Sequence, residues 1–176
     1  MRAACALALA LAAAGCAALP EPTGDAAFEF ELTARIAVRY RDQASAGTVS
    51  WRHRRAGDEM LISGPFGQGI ARLARDGESV TLTTGTEEYR AADAESLTEQ
   101  VLGYRLPLAG LSDWVRARPW ALGPAALAEY DLDGRLAILE QAGWRIEYLE
   151  YSGALPARLR LTTPGIELRL AISEWK

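Results

Sequence analysis

The chain is poor in the side chains that do chemistry. Among its 176 residues are one histidine (His53), one lysine (Lys176) and two cysteines (Cys5 and Cys16). A protein-bound metal needs several imidazole, thiolate or carboxylate ligands brought together, and one histidine without a usable thiol falls short of the common sets. No G-x-S-x-G elbow, P-loop or G-x-G-x-x-G is present. The stretch Gly64-Pro65-Phe66-Gly67-Gln68-Gly69 is glycine-rich, but no lysine follows it and no helical pattern begins there. His53 alternates with Val49 and Trp51, which reads as a strand residue or an exposed ring rather than a general base. Aspartate and glutamate are spread over turns and wet faces. An enzyme is not expected, nor is a metal or a dissociable cofactor. The net charge of −4 and a pI near 5.1 argue against nucleic acid and against an electrostatic grip on anionic lipid.

Long apolar runs are also missing, with one exception at the start. Residues 3–14 are alanine and leucine broken only by Cys5, too few to span ~30 Å of hydrocarbon as a helix. Arg2 before this run and small residues after it make residues 1–15 a signal peptide. The run closes on Ala13-Ala14-Gly15-Cys16, which resembles the lipobox of bacterial lipoproteins, with Ala13 where leucine is usual. Cys5 would leave with the signal, and Cys16 would become the acylated first residue, so no thiol remains for a disulfide. The covalent lipid at Cys16 is the one attached group expected. Two or more acyl chains anchor a protein stably where one does not. Position 17 is alanine, not the aspartate that commonly holds lipoproteins in the inner membrane, so the expected destination is the outer membrane. Residues 16–27, with two prolines and little periodicity, read as a lipidated tether.

What the mature chain has in quantity is alternation. In residues 28–41, Phe28, Phe30, Leu32, Ala34, Ile36, Val38 and Tyr40 fall on one face and mostly polar residues on the other. That period of two predicts a long half-buried strand. Further strands are expected at 48–54, 59–63, 69–75, 78–83 and 87–90, with residues 42–47 as a turn. The period then changes. Two short helices are expected at 93–102, with Leu97 and Val101 inward, and at 109–116, with Leu111, Trp114 and Val115 inward. Strands resume at 127–131, 135–141, 144–151, 157–162 and 166–173. Strand neighbours joined by short polar turns need no crossover, so the sheet should be antiparallel. The expected fold for residues 28–176 is a single mainly β domain. It is a strongly curved antiparallel sheet forming a half-open barrel over an apolar cavity, lidded by two helices.

One hairpin does not fit an ordinary surface. Gly64, Pro65, Phe66 and Gly67 join two strands, and turns of glycine and proline are commonplace. An aromatic between them must either fold back onto its own hairpin or project, and neither glycine covers it. We read Phe66 as a probe for something apolar, and the four residues as a membrane-insertion loop. The tryptophans invite a similar question. Trp144 and Trp175 read as core, whereas Trp51 and Trp114 stay open between core and cavity wall. Ile36, Val38, Trp51, Leu97, Val101, Leu111 and Trp114 form the candidate acyl-chain cavity. Arg35 reads as a surface or sheet-edge charge.

An ordered series of short motifs carries a resemblance. Cys16 is followed by Thr33-Ala34-Arg35-Ile36, Trp51, Gly64-Pro65-Phe66-Gly67 and Tyr89-Arg90-Ala91-Ala92-Asp93-Ala94-Glu95. Then come Gly103-Tyr104-Arg105-Leu106-Pro107-Leu108-Ala109-Gly110-Leu111-Ser112-Asp113-Trp114, Gly143-Trp144-Arg145-Ile146-Glu147-Tyr148, Leu155-Pro156 and Trp175. Each motif is weak alone, but together, in this order, they cover the mature chain. They resemble the LolB family of outer-membrane lipoprotein receptors and insertion factors. Phe66 stands where the best-known members carry leucine. The resemblance implies a half-barrel with a helical lid. It implies a chain anchored in the outer membrane and facing the periplasm, which takes acylated lipoprotein cargo from the periplasmic carrier LolA and delivers it to outer-membrane phospholipid. A monomer suffices for such a hand-off. The alternative is an anchored lipid-binding or envelope-assembly lipoprotein without an insertion step.

Overall fold

The computed structural model describes residues 28–77 and 79–176; the signal peptide, Cys16 and the tether expected from the sequence lie outside them. The leading alternation becomes β1 (Phe30–Tyr40), in which Phe30, Leu32 and Ala34 are buried and the residues between them are not. It is followed by β2 (Gln43–Arg54), β3 (Gly57–Ser63), β4 (Gly69–Asp76), β5 (Ser79–Thr84) and β6 (Glu87–Ala91). Two helices come next, α1 (Ala94–Leu102) and α2 (Leu108–Trp114). The chain ends with β7 (Leu127–Tyr130), β8 (Leu136–Gln141), β9 (Trp144–Ser152), β10 (Leu155–Thr163) and β11 (Ile166–Trp175).

These strands form one antiparallel sheet in the order β6-β5-β4-β3-β2-β1-β11-β10-β9-β8-β7. The first and last strands of that order do not pair with each other, so the curved sheet stays open. β6 and β7 are also the strands between which the helices are inserted. The connection from one edge of the sheet to the other must therefore cross the opening, and this is what makes α1 and α2 a lid. Asp93 starts α1 by accepting a hydrogen bond from the Ser96 backbone N–H at 2.7 Å. Gly103, at φ 81, ends it in the left-handed conformation that a side chain would resist.

One expectation is corrected. Of the expected turn at 42–47 only Asp42 lies in a turn, and residues 43–47 are strand. The chain reverses at Arg41-Asp42, with Arg41 at φ 53, and β2 begins at Gln43 opposite Tyr40. Small side chains suggested a loop, but pairing along β1 satisfies their backbone groups, and that outweighs weak local preference. β2 consequently runs past β3, whose last partner pair is Thr48 with Ser63. Gly47 sits at that step, and a Cβ there would run into the Ser63 carbonyl. Glycine is required at this close approach.

Alternation of strand direction gives the half-barrel two distinct ends. One carries the start of β1, the β2–β3 turn and the C-terminus. The other carries the Arg41-Asp42 turn, the β3–β4 hairpin tip and the end of α1.

Candidate functional site

The end at the start of β1 is closed by charge. Asp58, 2% exposed, accepts hydrogen bonds from the Trp51 indole N–H at 2.8 Å and from Arg75 at 2.7 Å, and lies 2.7 Å from Nδ1 of His53. Burial works against the charge on Asp58, but the bonds from His53 and Trp51 and the Arg75 cation together hold its carboxyl below the ordinary value. Phe30 stacks on His53 with ring centroids 4.9 Å apart, and the Arg116 guanidinium lies over the Phe30 ring, 5.0 Å from its centroid. Arg116 also donates to Glu29 at 3.1 Å and to the Ser112 carbonyl at 2.8 Å, which ties the end of α2 to the start of β1. His53 is thus a buried structural residue, not an exposed ring.

The interior is filled by the lid. Trp114 and Leu97 are fully buried, and Leu108 and Leu111 nearly so, packed in the same core as Ile146, Leu159, Leu161 and Leu168 of the sheet. The far end of the lid is held by Gln141. Its side-chain oxygen accepts from the Trp114 indole N–H at 2.9 Å and from the Trp120 backbone at 2.8 Å, and its amide donates to the carbonyls of Trp120 and Pro124. Replacing it, Gln141→Leu, orphans a buried indole N–H and is expected to cost about 1–3 kcal/mol in urea unfolding. An unchanged midpoint would show that the lid is held elsewhere.

The opposite end is apolar and less tightly covered. Ile36 and Val38 of β1, Ile62 of β3, Ala71 of β4 and Val101 and Leu106 of the lid pack on the core but are only partly buried. At this mouth the lid is held by the Tyr40 hydroxyl, which donates to the Gly103 carbonyl at 2.9 Å, with Tyr104 packed on the Tyr40 ring. Beside it the β3–β4 hairpin closes through Gly64 N–H to the Gln68 carbonyl and Gly67 N–H to the Gly64 carbonyl, Gly67 taking φ 79. Phe66 at its tip is 94% exposed, so the ring projects and does not fold back. A phenyl ring in that position is unusual, because its burial is worth about 1.5–3 kcal/mol that solution does not return.

The structure therefore separates the sequence-derived cavity residues. Leu97, Leu111 and Trp114 meet in the closed interior, and Ile36, Val38 and Val101 lie nearer the mouth. Trp51 is buried but bonded into the charged end, so its indole belongs to the plug. Pro65, Phe66 and Gly67 stand exposed together, with Gly64 buried at their base. Sequence reasoning missed Asp58, which falls between the expected strands 48–54 and 59–63 but lies on β3 and is buried. The signal was the inward alternation of Trp51 and His53, two polar-tipped side chains that need a buried partner.

An open antiparallel half-barrel with a helical lid over an apolar interior, and with a projecting aromatic at its mouth, defines the structural class of this protein. Two solved structures share the fold. One is a LolA superfamily protein from Nitrosomonas europaea, with TM-score 0.51 and 11% identity over 84% of each chain. The other is a putative outer membrane lipoprotein-sorting protein domain from Vibrio parahaemolyticus, with TM-score 0.53 and 8% identity over 84% of each chain. At the sequence level, residues 28–175 match the family model described as outer membrane lipoprotein LolB. Relatives named outer-membrane lipoprotein LolB include those of Thiobacillus denitrificans, 40% identical over 96% of this chain and 94% of that protein, and of Chromobacterium violaceum, 33% identical over 97% and 96%. The chain belongs to the LolB family. Members of that family are described as outer-membrane lipoproteins and not as enzymes.

Proposed function

We propose that this protein is anchored through an acylated Cys16 in the outer membrane, facing the periplasm. There it receives acylated lipoproteins from a LolA carrier and inserts them into the membrane. What supports this reading is the contrast between the two ends of the half-barrel. An acyl chain cannot pass this end without displacing Arg75 and the other donors from the buried Asp58 carboxylate, whereas the other end offers the partly buried Ile36, Val38 and Val101 near the Tyr40–Gly103 contact. Entry and exit then share the mouth beside Phe66. Each methylene left in water costs about 0.8 kcal/mol, so cargo must pass from one apolar cover to the next. With Leu97, Leu111 and Trp114 occupying the interior, an arriving chain takes their place and the lid swings aside. No covalent bond changes, and transfer runs downhill from carrier to receptor to bilayer.

The test uses the purified lipidated protein, carrier loaded with labelled lipoprotein, and outer-membrane vesicles. Label is expected on this protein first and in the vesicles later. Label that stays on the carrier would end the receptor reading. Label held by this protein and never delivered would favour an anchored binder.

A further inference from the structure

The net charge of −4 conceals a segregation. The described residues hold 17 arginines, and 13 of them, Arg52, Arg54, Arg55, Arg75, Arg90, Arg105, Arg116, Arg118, Arg135, Arg145, Arg158, Arg160 and Arg169, have a carboxylate within ion-pair distance. The four without one among the described residues are Arg35, Arg39, Arg41 and Arg72, all exposed. All four lie toward the end that carries Phe66. Arg35 stands at the level of Ser63, through the pairs Arg35–Thr48 and Thr48–Ser63. Arg39 and Arg41 lie beyond it toward the turn, and Arg72 faces Leu61 across the hairpin stem. Residues 35–48 and 61–72 contain no carboxylate but Asp42. The same stem exposes apolar side chains besides the tip, Leu61 at 48% and Ile70 at 46%.

We propose that Arg35, Arg39, Arg41 and Arg72 form a cationic collar that binds the phosphates of anionic phospholipid headgroups while Phe66, Ile70 and Leu61 enter the apolar layer beneath. The proposal deepens the insertion reading above and rests on it. Guanidinium groups pair with phosphate through two parallel N–H donors, and a cation already committed to a carboxylate gains little from a headgroup. Leaving only these four without a carboxylate partner among the described residues, on β1, its following turn and β4 around an exposed apolar tip, matches the layering of a membrane surface, with phosphate outside hydrocarbon. A bilayer so held beside the mouth positions the leaflet where cargo leaves.

The mature chain has no free thiol once Cys16 is acylated, so Gln68→Cys can carry a single environment-sensitive fluorophore. The labelled, lipidated protein is reconstituted in vesicles of phosphatidylcholine, alone or mixed with phosphatidylglycerol. Deeper immersion is expected with phosphatidylglycerol, lost at high salt. The ratio of immersed to dry probe should fall roughly fivefold for each of the four arginines changed to glutamine, while Arg90→Gln, a paired residue, changes nothing. Equal immersion in both vesicles, or no response to the four substitutions, overturns the collar and leaves the insertion loop standing. A probe that stays dry in both overturns the insertion reading as well. If the substitutions leave immersion unchanged and slow acceptance from the carrier, the arginines serve the carrier and the collar is wrong.

Discussion

Protein carrying Phe66→Glu is expected to accept lipoprotein from a loaded carrier at the normal rate and to fail at delivering it to vesicles. The substitution touches nothing in the fold. Phe66 is 94% exposed, and the hairpin is closed by backbone bonds between Gly64, Gly67 and Gln68 that do not involve its side chain. On the proposed route acceptance uses the interior under the lid, whereas Phe66 projects outward from the hairpin tip. Delivery asks the tip to sit in a leaflet, where the ring gains about 1.5–3 kcal/mol and a carboxylate gains none. That difference alone corresponds to a roughly tenfold to hundredfold fall in incorporation, and the charge adds to it. Phe66→Leu should restore most of the rate, because it keeps an apolar tip. Scoring acceptance and incorporation separately decides the matter. Equal loss of both would mean a damaged receptor, and normal incorporation by the glutamate variant would remove the loop from the mechanism.

How much of this was legible in the sequence depends on the range of the interactions involved. Strands and lid were legible because alternation at Phe30, Leu32 and Ala34, and helical spacing around Leu97 and Trp114, are local patterns that the core enforces. Phe66 was legible for the opposite reason, since an uncovered aromatic between glycines has no local explanation. The Arg41-Asp42 turn was not. Residues 43–47 are small or polar, and only pairing with β1 makes them strand, a contact that depends on register. The charged end was hidden in the same way. Trp51, His53, Asp58 and Arg75 come from three strands, and no spacing in one strand announces that they converge. Nor does the bulk charge of −4 reveal that, among the described residues, the four arginines without a carboxylate partner lie toward one end, because ion pairing depends on neighbours across strands.

Asp58→Ala is expected to remove about 3 kcal/mol of stability, the larger of the structural effects foreseen. The substitution strands the Trp51 indole N–H, leaves Arg75 without its partner and takes the acceptor from His53 Nδ1, all at a site where Asp58 itself is 2% exposed. Asp58→Asn, which keeps the volume, should lose somewhat less. The pH dependence has a definite sign. Burial alone would raise the pKa of Asp58, but its donors win and hold it below the usual value. Its charge therefore contributes stability that is fully present above the ordinary aspartate pKa of about 4 and is lost as the pH falls through its own lower pKa. The gap between the urea midpoints of wild type and Asp58→Asn should be widest at neutral pH and narrow progressively as the pH is taken below about 4. A gap that stays constant as the pH falls would deny the carboxylate its role. Function gives an independent check. If cargo enters and leaves at the Phe66 end, Asp58 variants compared at equal folded fraction must accept and deliver as the wild type does. A transfer defect that survives this correction would mean that the charged end lies on the route, and the one-mouth mechanism would fall with it.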